Sequence, residues 1–139
     1  MRWSAPTKEG WIKINVDGAF KKNGDASLGV VIRDDAGKVL LSAWRVVANA
    51  SNAEEVEIMA CKEGFALAVE WTPYQATLVS DCSSVIKYLS DSGEQRTPSA
   101  FIIKEPKELA STLPGIVFKH VRREQNVVAH ELVLEITAV

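Results

Sequence analysis

The sequence predicts an α/β fold with one five-stranded mixed sheet of strand order 3-2-1-4-5, flanked by helices, in which only strand 2 is antiparallel. Three short β-type runs joined by tight turns begin the chain and indicate an antiparallel meander. A long amphipathic segment follows them and leads into a fourth apolar run. Because crossovers between parallel strands are right-handed, this helix brings strand 4 beside strand 1, and a later helical crossover adds strand 5.

The size and composition of the chain indicate one folded domain over residues 11–139, preceded by a linker or entry segment at residues 1–10. The 139 residues are 47% hydrophobic and 24% charged, which suits a soluble globule with one core. The net charge of −2 argues against a protein that mainly binds nucleic acid through non-specific charge, although a local basic patch remains possible.

The expected location is intracellular, in the cytoplasm or the nucleus. Two cysteines without CxxC spacing are too few for a disulfide scaffold and indicate a reducing compartment. The N-terminus does not resemble a signal peptide, and no run approaches the roughly 20 apolar residues of a membrane span. We therefore expect no membrane association.

The three strands of the meander are predicted at Trp11–Phe20, Ser27–Arg33 and Lys38–Val46. An Asn-Gly pair at 23–24 favours a tight turn between the first two, and the sequence Asp34–Gly37 favours another before the third. These turns make strand 3 parallel to strand 1.

The long helix is capped by Ser51 or Asn52 and ends near Trp71, where Thr72 and Pro73 stop it. Pro106 is expected to kink or divide the third helix. The remaining elements are predicted at Gln75–Ser80 (strand 4), Ser83–Leu89 (helix), Ala100–Leu113 (helix), Ile116–Val121 (strand 5) and about Asn126–Ala138 (helix).

Three carboxylates are predicted to meet where strands 1 and 4 end, the edge at which open α/β sheets bind their ligands. Asp17 interrupts an apolar β-type run, and Asp81 follows strand 4 directly. Asp17 could instead simply accept hydrogen bonds from the turn after it. At about 100° per residue, Glu57 lies within the apolar arc of the long helix. Glu54 also lies in that arc, but in the first turn, where the helix dipole favours an acid.

Clustered carboxylates repel one another unless a cation lies between them. Carboxylate oxygens are the ligands that Mg²⁺ and Mn²⁺ prefer. Two such ions about 4 Å apart can activate a water and stabilise the leaving oxygen of a phosphoryl displacement. The cluster therefore predicts a site for phosphodiester hydrolysis.

Five segments of the chain resemble motifs of the ribonuclease H family, and the resemblance extends from about Trp11 to the end. The chain is most similar to the ribonuclease-H-like domains found in plants, which are related to the domain of non-LTR retroelement reverse transcriptases. The resemblance strengthens the fold prediction to a ribonuclease-H-like fold. The segments are Asn15–Ala19, Glu57–Ala60, Ser80–Cys82, Val121–Asn126 and Ala129–Leu132.

The resemblance implies that Asp17, Glu57 and Asp81 hold two Mg²⁺ or Mn²⁺ ions and that the RNA strand of an RNA/DNA hybrid is cut, leaving a 3′-hydroxyl and a 5′-phosphate. His130 stands where other members carry a fourth Asp, so it is expected to ligate the second ion or orient a water, without contributing negative charge. His120 resembles a family histidine that assists departure of the product, and the alternative is a histidine that only packs at the end of a strand.

A further set of residues is expected to contact the nucleic acid, although surface cations are often only solvated. Two differences from the sequences of longer bacterial members lower the expected affinity for the hybrid. Residues 91–114 are too few for their extra basic helix, and Glu54 replaces an amide that reads the minor groove. The expected contact residues are Lys21, Lys22, Asn52, Arg122, Arg123 and Asn126.

Two other functions remain open for a chain expected to act as a monomer. One is a retroelement-derived nucleic-acid-binding or protein-interaction module with little turnover, which His130 and the acidic balance favour. The other is a 3′–5′ exonuclease of the same broad fold, which would normally carry an Asp-x-Glu pair where this chain has Asp17-Gly18-Ala19.

Overall fold

The computed structural model of the protein describes residues 9–91 and 100–122. These residues form one five-stranded sheet of order β3-β2-β1-β4-β5, which confirms the predicted topology. Residues 1–8 of the predicted linker (1–10) and the predicted last helix, Asn126–Ala138, lie outside the described residues. The elements are β1 (Ile12–Phe20), β2 (Ala26–Arg33), β3 (Val39–Val47), α1 (Ala53–Trp71), β4 (Ala76–Ser80), α2 (Ser83–Ser90), α3 (Ala100–Ser111) and β5 (Ile116–His120).

The strand directions bring the ends of β1 and β4 to the same edge of the sheet. β2 pairs antiparallel with both β1 and β3, whereas β4 pairs parallel with β1 and β5. The pairing of β1 with β4 ends at Asn15 opposite Val79. Asp17 lies two residues further along β1 and is opposite Gly29 of β2. Beyond Asn15, β1 is paired with β2 but no longer with β4, and Asp17 lies in this part of the strand.

Helix α1 packs closely on the sheet because a glycine faces the central strand. A Cβ atom on Gly64 would lie 2.9 Å from Cγ2 of Ile14 and 3.1 Å from Cγ1 of Val16. One residue later, the buried ring of Phe65 meets Phe118 of β5 edge to face, with ring centroids 6.2 Å apart. This packing sets the height and rotation of α1 above the sheet.

The third helix differs from its prediction in two respects. Pro106 does not divide α3, which is continuous, and the helix ends at Ser111 rather than Leu113. Proline removes one backbone hydrogen bond and crowds the preceding turn. Its ring is buried here, and the apolar burial offsets part of that cost. Strand β5 ends at His120, one residue before the predicted end.

Within residues 9–91 and 100–122, no helix has the length and apolar composition needed to cross a lipid bilayer.

Candidate metal centre

Three carboxylates from three different elements converge at the sheet edge. Asp17 comes from β1, Glu57 from α1, and Asp81 from the turn between β4 and α2. Each contributes an oxygen to a group whose atoms all lie within 4.8 Å of one another. Asp17 is 1% exposed and Glu57 is 4% exposed, while Asp81 is half-buried. The predicted convergence of these three side chains is confirmed.

One backbone group holds two of the carboxylates. The N–H of Gly18 donates to Oδ1 of Asp17, with N and O 3.0 Å apart, and to Oε2 of Glu57 at 2.8 Å. Asp17 therefore accepts a hydrogen bond from the residue that follows it, which is the alternative role considered for Asp17 from the sequence. It does so beside two other carboxylates, so the local hydrogen bond and the cluster coexist.

The position of the N-cap of helix α1 determines which face of the helix carries Glu57. Asn52 caps the helix: its Oδ1 accepts a hydrogen bond from the N–H of Glu55 at 2.8 Å. Starting from that cap, Glu57 falls in the second turn on the face toward the sheet, where it is buried. Of the two predicted caps, Ser51 and Asn52, the N-cap in the structure is Asn52.

Ser80 is part of the site, but the sequence did not identify it as functional. Its hydroxyl donates to Oε1 of Glu57 at 2.6 Å and accepts from the N–H of Cys82 at 3.0 Å. The available signal was a hydroxyl residue at the end of a mostly apolar strand, immediately before Asp81. That signal alone does not reveal which atom the hydroxyl contacts.

The metal-free cluster is electrostatically unfavourable for Glu57. Burial, together with the negative charges of Asp17 and Asp81, raises the pKa of this carboxyl to about 8, although the hydrogen bonds from Ser80 and Gly18 oppose the rise. A divalent cation would reverse the balance, because it attracts all three carboxylates. Mg²⁺ and Mn²⁺ prefer hard oxygen donors, so the three carboxylates are suitable ligands for either ion.

An open cleft of about 250 Å³ leads to the carboxylates. Glu54 forms part of its wall, and Oε2 of Glu54 accepts a hydrogen bond from the hydroxyl of Ser84 at 3.2 Å. Glu54 is thus placed beside the cluster without belonging to the group within 4.8 Å. The residues that line the cleft are Asp17, Gly18, Ala53, Glu54, Glu57, Asp81 and Cys82.

His120 lies next to the cluster but outside it. It is the last residue of β5, opposite Ser80, and it is exposed. Its Nε2 lies 3.2 Å from the backbone carbonyl oxygen of Asp81.

The described residues expected to contact nucleic acid share the edge of the carboxylates. Lys21 and Lys22 are exposed in the turn that follows β1, and Arg122 is exposed just after β5. Asn52 is exposed at the start of α1, although its side-chain oxygen serves as the N-cap. Arg123, Asn126 and His130 lie outside the described residues.

Three of the solved structures with the same architecture are ribonucleases H or a ribonuclease H domain. Ribonuclease H1 of Halobacterium salinarum superimposes with a TM-score of 0.84 at 23% identity, covering 93% of this chain and 98% of that one. The N-terminal ribonuclease H domain of a Mycobacterium tuberculosis protein gives 0.82 at 23% identity, covering 91% and 93%. LC11 ribonuclease H1, solved with an RNA/DNA hybrid, gives 0.79 at 23% identity, covering 89% and 94%. The fold is therefore ribonuclease-H-like.

The sequence profile of the reverse transcriptase-like family matches residues 15–135, a segment that includes all three clustered carboxylates. The chain belongs to the reverse transcriptase-like family. No curated protein sequence matches it.

Proposed function

We propose that the protein is a metal-dependent endonuclease that hydrolyses the RNA strand of RNA/DNA hybrids as a monomer, leaving a 3′-hydroxyl and a 5′-phosphate. The observation that carries this proposal is the group of Asp17, Glu57 and Asp81 oxygens within 4.8 Å at an open edge of the sheet. The fold supports the same choice, because LC11 ribonuclease H1 shares it and was solved with such a hybrid.

The proposed cofactors are two Mg²⁺ or Mn²⁺ ions. Asp17, Glu57 and Asp81 would hold them, and His130 would complete the second position as a neutral nitrogen ligand. Bound divalent cations supply Lewis-acid activation of a water and stabilisation of the leaving oxygen in phosphodiester hydrolysis. With a histidine in place of a fourth carboxylate, the site would bind the second ion more weakly than the first.

The side chains and backbone of the protein would position the metal ligands, assist departure of the product and bind the nucleic acid. Asp17 and Glu57 are held by the N–H of Gly18, so their oxygens face the cleft without reorganisation when substrate arrives. His120, which is exposed and contacts the backbone carbonyl of Asp81, would assist departure of the product. Basic and amide side chains at this edge would contact the phosphates and sugars: Lys21, Lys22, Asn52, Arg122, Arg123 and Asn126.

A second candidate function is a nucleic-acid-binding or protein-interaction module with little turnover. The observation that favours it is Glu54 in the wall of the cleft, where its charge repels a phosphate. The net charge of −2 and the neutral His130 act in the same direction.

Cleavage of an end-labelled RNA/DNA hybrid separates the two functions. We expect wild-type protein to cut the RNA strand in Mg²⁺ or Mn²⁺, and Asp17→Asn to be inactive. Asp35→Asn is the matched control, because Asp35 lies in the turn at the opposite edge and accepts the N–H of Gly10. The control variant should cut at the wild-type rate. Folded wild-type protein that binds the hybrid without cutting it in either metal would instead support the binding module.

A further inference from the structure

We propose that Ser80 is a positioning residue of the metal centre, whose hydroxyl sets the orientation of the Glu57 carboxylate and couples it to the turn that carries Asp81. The inference rests on the proposed function in one respect, namely that the clustered carboxylates bind a divalent cation. It does not depend on which nucleic acid, if any, the protein cuts.

The contacts of Ser80 determine the partner to which its hydroxyl donates a hydrogen bond. The N–H of Cys82 donates to its oxygen at 3.0 Å, so the oxygen acts as the acceptor in that contact. The single O–H is then available for Oε1 of Glu57, 2.6 Å away. This oxygen–oxygen distance is typical of a hydroxyl that donates to a carboxylate. Ser80 is 0% exposed, so water does not compete for either contact.

Two donors on neighbouring strands hold the two oxygens of Glu57. Ser80 of β4 donates to Oε1, and Gly18 of β1 donates to Oε2 at 2.8 Å. The last torsion of a glutamate is broad, so one donor would leave the carboxylate plane free to turn. With both donors present, the carboxylate plane of Glu57 is fixed within the group whose Asp17 and Asp81 oxygens lie within 4.8 Å.

The same hydroxyl shapes the turn around Asp81. Ser80 and Cys82 flank Asp81 in the chain, and the bond between them closes the backbone over that residue. Removing the hydroxyl therefore loosens Glu57 directly and Asp81 through its backbone. The Ser80 hydroxyl therefore affects two of the three clustered carboxylates. Packing alone does not explain a hydroxyl at this position, because an apolar side chain would fill the buried end of β4 equally well.

Calorimetric titration of the protein with Mn²⁺, in the absence of nucleic acid, tests the role of Ser80. We expect Ser80→Ala to raise the Mn²⁺ dissociation constant by about 10- to 100-fold, the usual effect of removing a group that orients a metal ligand. Ser80→Thr keeps the hydroxyl and should restore the wild-type affinity. Ser90→Ala is the control: its hydroxyl bonds the carbonyl oxygen of Ile86 on α2, and its removal should leave Mn²⁺ binding unchanged.

Circular dichroism and thermal unfolding of each variant distinguish a lost orientation from a lost fold. A folded Ser80→Ala protein with wild-type Mn²⁺ affinity overturns the inference. If Ser80→Ala does not fold, Ser80→Cys replaces the hydroxyl by a poorer donor of similar shape. It should show the same weakening, and wild-type affinity in that variant overturns the inference as well.

The two proposals fail in distinguishable ways. Wild-type protein that binds Mn²⁺ but leaves hybrids intact contradicts the nuclease and leaves the role of Ser80 standing. Wild-type protein that cuts hybrids, combined with unaltered Mn²⁺ affinity in Ser80→Ala, contradicts only the role of Ser80. Wild-type protein that binds no Mn²⁺ contradicts both.

Discussion

Gly18 and Glu57, 39 positions apart in the chain, are joined by a hydrogen bond of 2.8 Å from the Gly18 N–H to Oε2 of Glu57. The contact is possible because Gly18 has no side chain. A Cβ atom at this position would lie 2.9 Å from Cγ1 of Val56 and 3.0 Å from the backbone nitrogen of Glu57. The approach of α1 to β1 that builds the site therefore requires glycine.

Gly18→Ala should destabilise the protein by about 1–3 kcal/mol, because backbone atoms of α1 would have to move to admit the methyl group. The measurement is the free energy of unfolding from urea denaturation. Gly115→Ala is the matched control. Its Cβ would be 3.3 Å from the nearest atom, in the flexible side chain of Gln75, so the stability should change little. Equal losses in the two variants would contradict this account of Gly18.

Glu57 should make the stability of the metal-free protein depend on pH. Its pKa is raised from 4.5 to about 8 in the folded state. Between those values the folded protein binds a proton that the unfolded chain has released, so the free energy of unfolding falls as the pH rises. The stabilisation by the neutral carboxyl is fully present below about pH 4.5 and is lost as the pH passes 8.

Glu57→Gln removes this titration. Thermal unfolding in EDTA between pH 5 and pH 8, spanning most of the interval between the two pKa values, should show a flatter profile for the variant. At pH 8 the variant should be more stable than the wild type. Adding Mn²⁺ at pH 8 should stabilise the wild type, since a ligand of the folded state raises its stability, and should stabilise the variant less. Parallel profiles in EDTA would show that Glu57 does not titrate in this range.

Two substitutions of Asn52 separate its capping role from contact with nucleic acid. Asn52→Ala should cost about 1 kcal/mol of stability, because α1 loses its N-cap acceptor. Asn52→Asp keeps the acceptor and should leave the stability unchanged. If Asn52 also contacts the hybrid, the Asp variant should bind it more weakly through repulsion of phosphate. Unchanged hybrid binding in Asn52→Asp would limit this residue to the cap.

His120→Ala should slow turnover by roughly 100-fold if the ring handles a proton during product departure. Mn²⁺ affinity should stay the same, because His120 contacts the carbonyl oxygen of Asp81 and not the clustered carboxylate oxygens. Cleavage kinetics and calorimetric titration of the same preparation test the two statements together. A weaker Mn²⁺ affinity in this variant would place His120 in the metal centre instead.

Much of the architecture could be predicted because it is encoded in short windows of sequence. Alternating apolar runs and turn residues indicated the strands, and the handedness of crossovers then ordered them as 3-2-1-4-5. The helical period placed Glu57 on the apolar face of α1, where it is 4% exposed. Local rules could not decide whether Pro106 divides α3, because the burial of its ring depends on the elements around the helix.

The sequence by itself determined that three carboxylates would meet at one edge of the sheet, since the period of a helix and the direction of strands are properties of the local chain. Only the tertiary structure decided how Glu57 is held. Its two anchors, Gly18 and Ser80, come from neighbouring strands, and a hydrogen bond forms only when donor and acceptor are within a few tenths of an ångström of their ideal separation. That precision arises from the packing of α1 against β1 and from the pairing of β1 with β4, which no single stretch of sequence specifies.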